Sequence, residues 1–155
     1  MFDSIRKARR NRKIESHFGE FSRTFTQRQK ISVLKSLWMI ALMDGEFHRN
    51  EKLFIEQTAE VLNYKLSDTN VLKLNDIDTN ETACEIKMMD QSQQDWFVIT
   101  CLMMVHVDGK ALNEEYALLD SLFALIGISL ERVNSIIGKH KAICDDFGID
   151  TGIGI

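Results

Sequence analysis

The sequence predicts an all-α protein, a single-domain bundle of about seven helices built on an internal pseudo-twofold duplication of helical hairpins. Three observations predict it. Proline, the residue that most often interrupts helices, is absent from all 155 residues. Apolar residues recur at three-and-four spacing in one segment after another, and no segment shows a convincing alternation of period two. The chain also carries one arrangement twice, Asp-Gly-x5-Glu, in "LMDGEFHRNEKLF" (42–54) and in "VDGKALNEEYALL" (107–119).

The elements follow in order. Thr26 and Gln29 form a Thr-x-x-Gln capping box, in which each side chain satisfies an orphan backbone N–H, and a helix starts there. Its stripe is Ile31, Leu34, Leu37, Trp38, Ala41 and Leu42. Towards Met43 it becomes apolar nearly all round, which predicts a deeply buried end, and Gly45 supplies a left-handed stop. The next helix, about 49–63, presents Leu53, Phe54, Ala59, Val61 and Leu62, with Glu51, Glu56 and Glu60 expected on its wetter side. Ser67 caps a short helix containing Val71, Leu72 and Leu74, and after the acidic connector "NDIDTNE" comes an amphipathic piece at about 81–89. Ser92 with Asp95 reads as a second capping signal, ahead of the apolar helix "WFVITCLMMVHV". A helix over about 113–126 follows, closed by Gly127. Ser129 caps the last one, which buries Val133, Ile136 and Ile137.

Shifting the chain by 64 positions (108 − 44 and 115 − 51 alike) lays Asp44, Gly45 and Glu51 on Asp108, Gly109 and Glu115. The apolar runs 37–43 and 101–107 overlay as well, and Leu53, Ile55 and Leu62 fall on Ala117, Leu119 and Ile126. A pseudo-twofold pair of helical hairpins is the simplest structure that explains the repeat.

Each hinge looks like half of an EF-hand loop, which has glycine at its sixth position and a bidentate glutamate at its twelfth. The other half is missing. The first and third positions would be Ile40 and Leu42 in one copy, and Met104 and His106 in the other, so neither copy is expected to be a high-affinity EF-hand. Two accounts of the hinge stay open. In one, Asp accepts hydrogen bonds from the next turn, Gly supplies the backbone, and the glutamate sits where the helix macrodipole favours an anion. In the other, Asp44, Glu51, Asp108 and Glu115 meet on one surface and attract a hard cation, Ca2+ or Mg2+, weakly.

At these residues the chain resembles the TerB-like family, the all-helical fold of tellurite-resistance proteins and of the N-terminal domain of a membrane-anchored co-chaperone. The resemblance covers about residues 27–145. It rests on "ALMDGEFHRNE", which is similar to the family's Ala-x-x-Asp-Gly-x-h-x-x-x-Glu signature, on "MVHVDGKALNEE", and on the seven-helix order. It implies a sensing or scaffolding module associated with oxyanion and envelope stress, with acidic surfaces proposed to bind metal, and it assigns the family pattern to Asp44, Gly45, Glu51, Asp108, Gly109 and Glu115. One departure is local. His48 and Leu112 stand where the family often has a Ser or Thr cap, which leaves both glutamates freer and makes His48 a candidate ligand.

Composition bounds the rest. Hydrophobic residues at 45% and charged residues at 27% fit a soluble globule, and no apolar run approaches the roughly 18 residues of a membrane span. No secretory leader is evident, so the cytoplasm is the expected compartment. Cys84, Cys101 and Cys144 lack C-x-x-C spacing and read as buried apolar thiols. Met39, Met43, Met88, Met89, Met103 and Met104 read as core filler. His17, His106 and His140 are isolated, with His106 expected as a satisfied core histidine. The glycine-rich "GIDTGIGI" lacks the strand, helix and Lys of a phosphate loop. Nothing here suggests an enzyme.

The net charge of −4 hides a split. Residues 1–13 hold Arg6, Lys7, Arg9, Arg10, Arg12 and Lys13 against Asp3 alone, so the arm is +5 and the remainder −9. Such an arm would attract anionic lipid headgroups at about 1 kcal/mol per charge near the surface, and nucleic acid less characteristically. The expected organisation is therefore a basic arm (1–15), a TerB-like helical domain (16–147) and a flexible tail (148–155). The expected function is a non-enzymatic binding or scaffolding module linked to tellurite resistance or envelope stress, with a weak divalent-cation site at the hinges and a membrane-associated or cytoplasmic protein partner. The alternative is a purely structural protein–protein interaction domain that docks on membrane, at its inner face, or on nucleic acid through the arm.

Overall fold

A computed structural model describes residues 24–42, 49–66, 78–106 and 113–146, without the side chains of 50, 113–115 and 146. Among these residues the fold is all helix: α1 Gln27–Ala41, α2 Arg49–Val61, α3 Thr79–Lys87, α4 Gln91–His106, α5 Asn113–Ile126, α6 Leu130–Lys139 and α7 Lys141–Asp146. The arm, the tail, the Ser67 helix with Val71, Leu72 and Leu74, both Asp-Gly pairs, Met43, His17 and His48 lie outside them.

Helix α1 begins as its capping box dictates. Thr26 Oγ1 accepts from Gln29 N–H at 3.1 Å, and Gln29 Oε1 accepts from Thr26 N–H at 2.9 Å. Val33, Leu34, Leu37, Ile40 and Ala41 form its core face, against which α2, α3, α4 and α5 pack. Its end is less buried than expected, because Leu42 is 43% exposed. The start of α3 also shifts: Asp78 is the N-cap, accepting from the N–H groups of Asn80 and Glu81.

Helix α4 is the central rod, buried on every side from Gln93 to Val105. Its cap corrects the sequence reading. Asp90 and Gln93, not Ser92 and Asp95, make the box: Gln93 N–H donates to Asp90 Oδ1 at 2.8 Å and Asp90 N–H to Gln93 Oε1 at 3.0 Å. A carboxylate accepts a cap bond as well as a hydroxyl does, so the helix is capped two residues earlier than Ser92. The expected last helix is likewise two, α6 and α7, joined at His140, whose φ of −109° and ψ of 34° leave the helical region. Ser129 caps α6 as expected, its Oγ accepting from Arg132 N–H at 3.1 Å.

The hairpins α1–α2 and α4–α5 share one register at the 64-residue offset. Helices at 27–41 and 49–61 correspond to those at 91–106 and 113–126. The two capping boxes correspond, Thr26 with Asp90 and Gln29 with Gln93. So do two hydroxyls that bond back one turn, Ser36 to the Ser32 carbonyl at 2.8 Å and Thr100 to the Trp96 carbonyl at 2.7 Å. Both second helices end in the same six-residue loop: Tyr64 N–H reaches the Ala59 carbonyl and Ile128 N–H the Phe123 carbonyl, each at 2.8 Å. Between them sit the chain's left-handed residues among those described, Asn63 at φ 53° and Gly127 at φ 87°.

Candidate functional site

The four expected ligands are Asp44, Glu51, Asp108 and Glu115. Asp44 and Asp108 lie outside the described residues, and Glu115 is placed only as the third residue of α5. Glu51 is the third residue of α2 and is 3% exposed. That corrects its expected place on the wetter side. Counting from 51 in steps of three, four, seven and eleven gives Phe54, Ile55, Thr58 and Leu62, all buried, so Glu51 opens the apolar stripe. Glu56 and Glu60 lie off that stripe, half-buried and exposed respectively. A carboxylate so deeply placed requires compensation by a donor or a cation. Among the described residues, no three His, Cys, Asp or Glu side chains converge on a point where an ion could be held.

A side-chain contact links the helices that flank the second Asp-Gly pair. Tyr116 Oη and His106 Nε2 are 3.0 Å apart, with ring centroids 6.0 Å apart in an edge-to-face arrangement, so α4's last residue is stapled to α5's first turn. His106 is thus half-buried and satisfied, as expected of it, and Tyr116 is the partner that sequence reading missed. The register positions in the first copy are Leu42 and Lys52, which cannot form this pair.

A polar cluster that sequence reading did not see lies at the start of α4. Gln93 Nε2 donates to the carbonyl and hydroxyl of Thr24 at 3.1 and 2.9 Å, tying the lead-in of α1 to α4, where Phe25 also packs at a tilt against Trp96, ring centroids 5.2 Å apart. Gln94 Oε1 accepts from Arg132 Nη2 of α6 at 3.0 Å. Asp95 Oδ2 lies 3.2 Å from both Lys139 Nζ and His140 Nε2. His140 is therefore paired and not isolated. No periodicity announces a pair separated by 45 positions in the chain.

The sulfur residues divide. Cys101 and Cys144 are buried, as are Met89, Met103 and Met104, but Cys84 is exposed and Met88 is 75% exposed, against expectation for both. Cys84 sits on the outward side of short α3, away from Ala83 and Ile86, which face the core, and Met88 is that helix's C-cap. Among the described residues, no helix is long and apolar enough to cross a membrane. The six basic residues of the arm lie outside those residues.

A family model described as "Tellurite resistance protein TerB" matches residues 4–74, which contain the six basic residues of the arm, α1, the first Asp-Gly pair and α2. No curated protein and no solved structure matches. Over those 71 of its 155 residues the chain is similar to the TerB family.

Proposed function

We propose that the chain is a non-enzymatic TerB-like binding module of the tellurite-resistance type, in which two copies of one helical hairpin present Asp44, Glu51, Asp108 and Glu115 to a weakly held divalent cation, Ca2+ or Mg2+. The observation that supports this reading is the 64-residue correspondence of the described caps and C-terminal loops of α1–α2 and α4–α5, between whose helices the two Asp-Gly-x5-Glu sequences fall. The burial of Glu51 adds a condition. An ion at the first hinge would be held from beneath by that carboxylate, not from an exterior patch. Isothermal titration with Ca2+, Mg2+ and Zn2+ tests it against an Asp44→Ala/Asp108→Ala variant. Saturable heat in the micromolar to millimolar range, abolished in the variant, is expected; buffer-level heat from the parent rejects the reading.

The same burial favours a second reading. A glutamate in the first turn of a helix, out of water, also suits a joint that only turns the chain. The module would then work as an interaction domain, with Arg6, Lys7, Arg9, Arg10, Arg12 and Lys13 docking on an anionic membrane. Flotation with phosphatidylserine vesicles, with and without residues 1–15, separates the two. Equal flotation of both forms removes the arm as an anchor.

A further inference from the structure

The C-terminal helix pair is held to the bundle along one side. Among the described residues, α6 packs chiefly on α4 and α7 chiefly on α6, whereas α1 packs on four other helices. The apolar part of that seam is small: Val133, Ile136 and Ile137 from α6, with Ile143 and Cys144 from α7. Its polar part is concentrated on two consecutive residues of α4, Gln94 and Asp95, which take Arg132, Lys139 and His140.

Asp95 is an unusual clasp. Its side chain is 2% exposed, one oxygen is shared by the ammonium and the imidazole, and the other is buried with no hydrogen-bond partner among the described residues. Among the described residues, the charge compensation of this carboxylate thus comes from the α6–α7 junction. A buried carboxylate stripped of its cations is strongly disfavoured, but one that is uncovered is solvated by water. The closed arrangement is therefore satisfied by Lys139 and His140 and the open one by solvent, which an apolar residue at position 95 would not permit. The connection before α6 is short and begins with Gly127, left-handed at φ 87° and with open space where a Cβ would stand.

We propose that α6 and α7 form a flap that opens as one unit about the Gly127–Ser129 connection, and that Asp95 is the clasp that sets its closed population. The assignment does not depend on the cation reading above. Native-state hydrogen exchange on the full chain tests it. Amides of α6 and α7 are expected to exchange through an opening at least about tenfold more populated than that of α1 and α4. A Lys139→Met/His140→Leu variant, which keeps the apolar stems but strands the carboxylate, is expected to speed exchange in α6 and α7 by at least a further tenfold or so, leaving α1 and α2 unchanged. Adding Asp95→Asn to that variant should return the protection, because no charge is then left buried. Equal protection of α6, α7 and α4 in the unaltered chain overturns the proposal, as does a variant that accelerates all helices alike or a third substitution that restores nothing.

Discussion

At the scale of single residues, burial decides which side chains are available for chemistry. Burial pushes the Cys144 thiol up to about 11, with the neighbouring Asp145 charge adding to it, and burial alone raises Cys101 as well. Cys84, on the outer side of α3, is exposed. At pH 8 the folded protein should therefore release one equivalent of thiol to Ellman's reagent and three in urea; a second fast equivalent in the native state would contradict the burial of the other two. The sign of the pH effect follows. A thiol held neutral by the fold contributes stability that is complete below its ordinary value of 9.0, and that contribution is lost as pH rises through about 11. A Cys101→Ala/Cys144→Ala variant should accordingly show a shallower fall in urea midpoint between pH 9 and 11 than the parent does.

Helix ends set the geometry at the next scale, and there the two halves can be compared by substitution. Asn63 and Gly127 close α2 and α5 in the same left-handed conformation, one with a Cβ and one without. Asn63→Gly should raise stability by up to about 1 kcal/mol, and Gly127→Ala should lower it by about 1–2 kcal/mol, the latter purely conformational because nothing stands within 4 Å of the new carbon. Urea unfolding of the two variants checks both, and effects of the same sign would mean the loops are not equivalent. Much of this was legible in the sequence. Gly127, Ser129 and the Thr26/Gln29 box act locally, through backbone groups within one turn, so a short window contains the whole interaction. What stayed hidden depends on neighbours distant in sequence. The placement of Glu51 needed the direction of the α1 contact, and Asp95 was read as a cap because its real partners lie at 139 and 140. The split at His140 was hidden too, since the nearby glycine, Gly138, lies inside α6 and the junction itself carries neither glycine nor proline.

For the whole molecule, α4 is the organising element. It is apolar along most of its length, contacts α1, α5 and α6, and carries at its first turns the polar links to Thr24, Arg132, Lys139 and His140. Helix α1 is its register counterpart and keeps a polar residue, Ser36, where α4 has Thr100. The His106–Tyr116 staple ties α4 to α5, and the register positions Leu42 and Lys52 cannot form one between α1 and α2. The similarity to the TerB family over residues 4–74 bears on the candidate ligands, whose proximity in space is the central claim. Paramagnetic broadening by Mn2+, a probe for hard-cation sites, addresses that claim most directly. The account predicts that substoichiometric Mn2+ broadens the amide signals of Gly45 and Gly109 together and that excess Mg2+ reverses both. Broadening of one hinge without the other, or of neither, would contradict it.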